Sequence, residues 1–141
     1  MERGFNLLEL TVGCGIVASL SAMGFFALQE MSHQQALYSA GEFVQSALSR
    51  ARFQAVAKNL AVELQVHPNK GEFTLVEKGD SPQLWQALPE GVVFSGVPAR
   101  LPTFHSRGYA SPSGTFVLQN PSGQIRVIIA VSGRVRWERI G

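Results

Sequence analysis

Two groups of side chains carry what chemistry this sequence offers: a lone carboxylate near the N-terminus and a set of arginines near the C-terminus. Glu9 stands at the head of Leu10 to Leu28, a run of 19 residues with no charge and no proline. An ionisable group in such a membrane-length segment costs about 2.5 to 3.5 kcal/mol on insertion scales and usually has a partner. No basic residue lies one helical turn from Glu9. A backbone cut after Gly4 would supply one, because the new α-amine of Phe5 is a positive charge at nearly the same depth, offered to the Glu9 of a neighbouring copy.

At the other end stands Gly133-Arg134-Val135-Arg136, with Arg126 shortly before it. Guanidinium groups make forked, charge-assisted contacts to phosphate, so an arginine cluster on a strand pair suits a phosphate backbone. The overall formal charge of +2 hides this asymmetry. From Val97 onward six arginines face only Glu138, whereas the stretch from Glu30 to Gly96 is net acidic. Arginines on an exposed strand also serve simply to keep a surface soluble.

The elements that must position these groups follow from the apolar pattern. At about 1.5 Å per residue, the run after Glu9 makes a helix close to 30 Å long, enough to cross the hydrocarbon core of a bilayer. No small-x-small cleavage pattern closes the run at Phe25-Phe26-Ala27, which argues against a secretory signal peptide. Thr11-Val12-Gly13-Cys14 has a faint likeness to a lipoprotein cleavage site, but most of the apolar run follows Cys14 instead of preceding it.

Gly4-Phe5-Asn6-Leu7-Leu8-Glu9-Leu10, followed by the apolar helix, resembles the signature of type IV prepilins and the related pseudopilins. The resemblance implies a leader peptide, 1–4, removed between Gly4 and Phe5 by a prepilin peptidase that also methylates Phe5. It implies that Glu9 pairs with a neighbouring subunit's amine during assembly. It further implies a single-pass anchor in the bacterial inner membrane, with the head in the periplasm before entry into a pilus or pseudopilus. Asn6 stands where a small hydroxyl residue is common in that family.

Past the membrane segment, 5–32, the apolar period continues. Ala36, Leu37, Ala40, Phe43, Val44, Ala47, Leu48, Ala51, Ala55 and Val56 recur at spacings of three and four, one stripe of an amphipathic helix over 33–58. With no proline before Pro68, a single helix from about Asn6 to Lys58 is expected. After Asn59 the period becomes two, predicting strands at Ala61 to Val66, Glu72 to Glu77, Val92 to Val97, Thr115 to Gln119, Ile125 to Val131 and Val135 to Ile140. Turns are expected at 67–71, 120–123 and Ser132-Gly133. The segment from Pro98 to Gly114, rich in Pro and Gly, reads as a long surface loop. The fold class is α+β: a long N-terminal helix packed on one antiparallel sheet, with an exported head at 33–141 and its sheet at 60–141. The only cysteine, Cys14, lies in the apolar run, so the head must be held by packing alone.

Strand alternation predicts how the arginines are displayed. A two-residue turn at Ser132-Gly133 would put Arg134 and Arg136 on the apolar face of Ile125, Val127 and Ile129. A three-residue loop ending at Arg134 instead pairs Val131 with Val135 and Ile129 with Trp137. It leaves Arg136 on the other face with Arg126 and Ile128, with Arg134 at the loop tip, and is the expected register.

The segment from Phe43 to Leu64 and the closing Ser132-Gly133-Arg134-Val135-Arg136 resemble the GspH/FimT-type minor pilins and pseudopilins. In some members a Gly-Arg-x-Arg motif contacts DNA during natural transformation. The resemblance therefore implies DNA capture through Gly133, Arg134 and Arg136, with Arg126 on the same strand pair. Such binding to double-stranded DNA is sequence-independent and weakens steeply with salt. Without it, the resemblance implies a GspH-like pseudopilin of type II secretion, whose partners are other pseudopilins.

Other chemistry is thin. His33, His67 and His105 belong to no metal-ligand spacing. Neither a G-x-S-x-G elbow nor a glycine-rich phosphate loop occurs, and Trp85 and Trp137 are expected as core anchors. No enzyme and no cofactor are expected. The remaining partners are other pilin subunits, prepilin peptidase, the inner membrane and double-stranded DNA.

Overall fold

The computed structural model describes residues 6–82 and 84–140. Gly4 and Phe5, the expected cleavage site, lie outside the described residues. The chain divides into two compact units, the first ending at Ser32 and the second beginning at His33.

One helix, α1 (Leu7–Lys58), supplies all of the first unit's described helix and the opening of the second. Asn6 stands at its N-cap: its carbonyl accepts from the Glu9 and Leu10 amides at 2.9 and 3.2 Å. Every described residue of the first unit is exposed, including Leu10, Ile16, Leu20, Phe25, Phe26 and Leu28. A helix apolar all round is built for a surrounding of hydrocarbon. Its hydroxyls agree, since Thr11, Ser19 and Ser21 donate back to the Leu8, Gly15 and Val17 carbonyls at 2.8, 2.9 and 2.8 Å and leave no donor for solvent.

In the second unit the stripe predicted on α1 is buried at Leu37, Ala40, Val44, Ala47, Leu48, Ala51 and Ala55. Phe43 and Val56, expected within it, flank it and stay partly or largely exposed. The helix stops at Asn59, which takes the left-handed conformation (φ 56°). The Leu60 amide then reaches back to the Ala55 carbonyl and the Asn59 amide to that of Val56, at 3.1 and 3.4 Å. This pair of bonds satisfies the last carbonyls and turns the chain into the first strand.

The strands are β1 (Val62–His67), β2 (Glu72–Glu77), β3 (Gln86–Ala87), β4 (Val93–Gly96), β5 (Thr103–Phe104), β6 (Ala110–Ser111), β7 (Gly114–Asn120), β8 (Gly123–Ile129) and β9 (Val135–Ile140). They form two antiparallel sheets, in orders β3-β2-β1-β5-β6 and β4-β7-β8-β9, where one sheet was expected. The expected surface loop at 98–114 is also corrected: it contains the β5–β6 hairpin, with Pro102, Phe104 and Ala110 buried. Phe73, Phe94 and Phe116 join the sheets edge to face, with centroids 6.5 and 6.2 Å apart. Phe43 of α1 packs on Phe73 at 5.4 Å.

Trp137 packs against this core, but Trp85 does not; it is half-buried against the His67 ring, centroids 4.0 Å apart. Close approach of the helix to the second sheet depends on Gly41, where a Cβ would lie 2.6 Å from Ile125 Cδ1. Asn120, at the β7–β8 turn, donates to the His33 carbonyl at 2.6 Å while its Oδ1 accepts from the Ser122 amide at 3.0 Å. That side chain ties the start of the head's helix to the sheet.

Candidate functional site

The arginines sit on the β8–β9 hairpin, whose register differs from the expected one by two residues. Ile129 pairs with Val135, Val127 with Trp137, Ile128 with Arg136 and Arg126 with Glu138. The loop is Val131-Ser132-Gly133, closed by the Ala130 amide to the Arg134 carbonyl and the Gly133 amide to the Ala130 carbonyl, both at 2.9 Å. A three-residue hairpin loop ends on a left-handed residue, and Gly133 (φ 78°) takes that position at no steric cost. Arg134 is therefore the first residue after the loop and not its tip. A shift of two preserves side-chain parity, so Arg136 still shares the outer face with Arg126 and Ile128, while Trp137 faces the helix.

The three arginines differ in freedom. Arg126 Nε lies 2.8 Å from Glu138 Oε1, and both side chains are half-exposed (47% and 42%). Its charge is shared across the strands. Arg134 and Arg136 are exposed and have no ion-pair partner among the described residues. Arg139 points to the opposite face, where its guanidinium donates to the Tyr38 hydroxyl at 3.1 Å and Tyr38 packs on Trp137 at 5.6 Å. It braces the helix and leaves the outer face to the others.

Gly133 is buried and supplies shape, with no side chain to offer. A Cβ there would meet the Gly108 carbonyl oxygen and come within 3.0 Å of Arg52 Nε. Arg52 donates to that same carbonyl at 2.9 Å, and the Ala110 amide donates to the Val131 carbonyl at 2.9 Å. The turn carrying exposed Arg107 and Tyr109 is thereby seated against the loop that precedes Arg134. Sequence reasoning missed Arg52 and Gly108, which are 56 residues apart. Their only signals were a basic residue beside the helix stripe and a glycine in a loop.

Glu9 is exposed on the first turns of α1 and forms no ion pair among the described residues. Also among the described residues, no three His, Cys, Asp or Glu side chains come together to hold a metal ion.

An exposed apolar N-terminal helix, an amphipathic continuation and two antiparallel sheets make this a pilin-type subunit, a class that assembles with other pilin subunits and is anchored through that helix. Residues 40–133 match the family described as type II transport protein GspH, and the chain belongs to that family. The matched segment ends one residue before Arg134.

Solved structures show the same fold. The minor pseudopilin EpsH from the type 2 secretion system of Vibrio cholerae aligns with a TM-score of 0.56 at 20% identity, over 74% of this chain and 96% of that one. The type IV minor pilin FimU of Pseudomonas aeruginosa aligns with a TM-score of 0.60 at 20% identity, over 77% and 92%. Among curated proteins, none matches the sequence.

Proposed function

We propose that this chain is a minor subunit of a type IV pilus-type filament that captures DNA without regard to sequence, as FimT-type pilins do. The observation that carries the reading is the state of Arg134 and Arg136: exposed, without an ion-pair partner among the described residues, and carried on a strand whose other face is locked to the helix through Trp137 and Arg139. Two guanidinium groups held in this way present forked donors to successive phosphates. Gly133 lets the hairpin loop seat, and Arg126 adds a partly neutralised third cation.

In this reading prepilin peptidase cuts between Gly4 and Phe5 and methylates Phe5, and Glu9 then meets the new amine of an adjacent subunit. The protein starts in the bacterial inner membrane with its head in the periplasm, then joins the filament. Titration of the protein with duplex DNA at several salt concentrations tests the first part. Binding that weakens with salt and disappears in Arg134→Gln with Arg136→Gln is expected; absence of binding at low salt refutes it.

A second reading is favoured by the family match and by the likeness to EpsH. The chain would then be a minor pseudopilin of type II secretion, with other pseudopilins as partners and no DNA contact. The same titration separates the two.

A further inference from the structure

Beside the exposed Arg134 lies a groove. Phe53 and Val56, near the end of α1, line it from one side, and Gly133, Arg134 and Val135 line it from the other, with Arg52 at its rim. Phe53 is 72% exposed and Val56 51%. Among the described residues no second ring packs on Phe53, so its face is open.

The groove's shape is built in. Gly133 contributes no side chain, and the turn at Gly108 is fixed by Arg52 and lies against Val56. Its lining carries arginine and no carboxylate. An open aromatic face over an apolar floor with guanidinium groups at the rim matches a planar, apolar body attached to negative charge. A nucleotide in a single strand has that form: its base stacks on a ring and its phosphates meet arginine. A duplex does not, because its bases are already stacked on one another. Arg134 itself lines the groove, so the phosphate contact and the stacking ring share one site.

We propose that the Phe53 groove is a stacking site for a base of single-stranded DNA, with Arg52 and Arg134 holding the adjoining phosphates. This rests on reading Arg134 and Arg136 as phosphate contacts. It adds a preference for unpaired DNA, such as a frayed end, over intact duplex.

The test compares the full chain in non-ionic detergent with its variants, by fluorescence anisotropy of a labelled oligothymidylate and of a duplex of equal length. Stacking on one base is worth about 1 to 3 kcal/mol, so Phe53→Ala is expected to weaken oligothymidylate binding about 5- to 150-fold. Duplex affinity should not change, and Phe53→Trp should restore the single-strand affinity. Phe53 is solvent-facing, so neither variant threatens the fold. Unchanged oligothymidylate affinity in Phe53→Ala, with duplex binding intact, overturns the groove and leaves the arginine reading standing. Loss of filament incorporation with both DNA affinities intact overturns it too, in favour of a contact with another subunit. If the protein binds oligothymidylate through Phe53 and no duplex, the groove stands and duplex capture falls.

Discussion

Gly133 and Gly108 meet backbone against backbone, so closely that a Cβ on Gly133 has no space beside the Gly108 carbonyl oxygen. Both have positive φ, 78° and 82°. Gly133→Ala thus combines a left-handed alanine with a collision against backbone that cannot move aside. It is expected to destabilise the head by about 2 kcal/mol or more and to weaken DNA binding by displacing Arg134. Gly91→Ala is the control, because Gly91 (φ 80°) has open space around its Cβ position. It should lose only about 1 kcal/mol from the left-handed conformation. Thermal unfolding of the two variants checks the difference.

Gly41→Leu should damage the core. Ile125, fully buried, and Trp137 occupy the space that any side chain at Gly41 would enter. Overpacking of this kind costs about 1 to 3 kcal/mol, more than the roughly 1 kcal/mol of helix propensity that replacing glycine returns. A lowered midpoint of denaturant unfolding is the expected readout.

Glu138→Gln should raise DNA affinity. The substitution frees Arg126 from its only ion-pair partner among the described residues. An exposed pair contributes about 0 to 1 kcal/mol to stability, so the fold should be unaffected. Each additional phosphate contact steepens the dependence of log affinity on log salt by about 0.9. A salt series on the variant tests this. Arg126→Gln should weaken binding less than Arg134→Gln.

Asn120→Ala removes the donor to the His33 carbonyl and the acceptor for the Ser122 amide. Losing these two bonds, at about 0.5 to 1.5 kcal/mol each, should cost about 1 to 3 kcal/mol. Hydrogen exchange should rise first at the start of the head's helix.

Glu9→Ala should stay in the membrane, since removing a charge makes insertion easier. On the proposed pairing of Glu9 with a neighbour's amine, incorporation into filaments should fall. Membrane fractionation together with filament recovery measures both, and normal recovery would refute the pairing role.

How far the sequence could be read depended on whether a feature is local. The helix stripe was legible because a spacing of three and four has one structural meaning, and it missed only at its margins, Phe43 and Val56. On β9 the alternation of Arg136 with Trp137 settled which side faces the core. The exact partners were not legible, because they depend on which residue takes the left-handed position, and Gly133 won over Arg134. The two-sheet arrangement was hidden for a different reason: period two tells a strand's face and not its neighbour. Phe104 illustrates this, since its strand is two residues long and pairs with Val62, far back in the chain. The site followed the same division. Arg134 and Arg136 were singled out by a short motif, and only their exposure and strand face were legible; the Arg52–Gly108 contact and the groove beside Phe53 exist only because remote segments meet.

β9 is the last strand of its sheet and, among the described strands, pairs with β8 alone, so one of its edges has no strand partner. Unprotected margins of this kind invite intermolecular pairing and aggregation. Arg136, Glu138 and Arg139 place charge along that margin, which makes docking of a foreign strand costly. Stripping all of these charges would therefore leave a sticky border on the head of a subunit whose family works by ordered assembly.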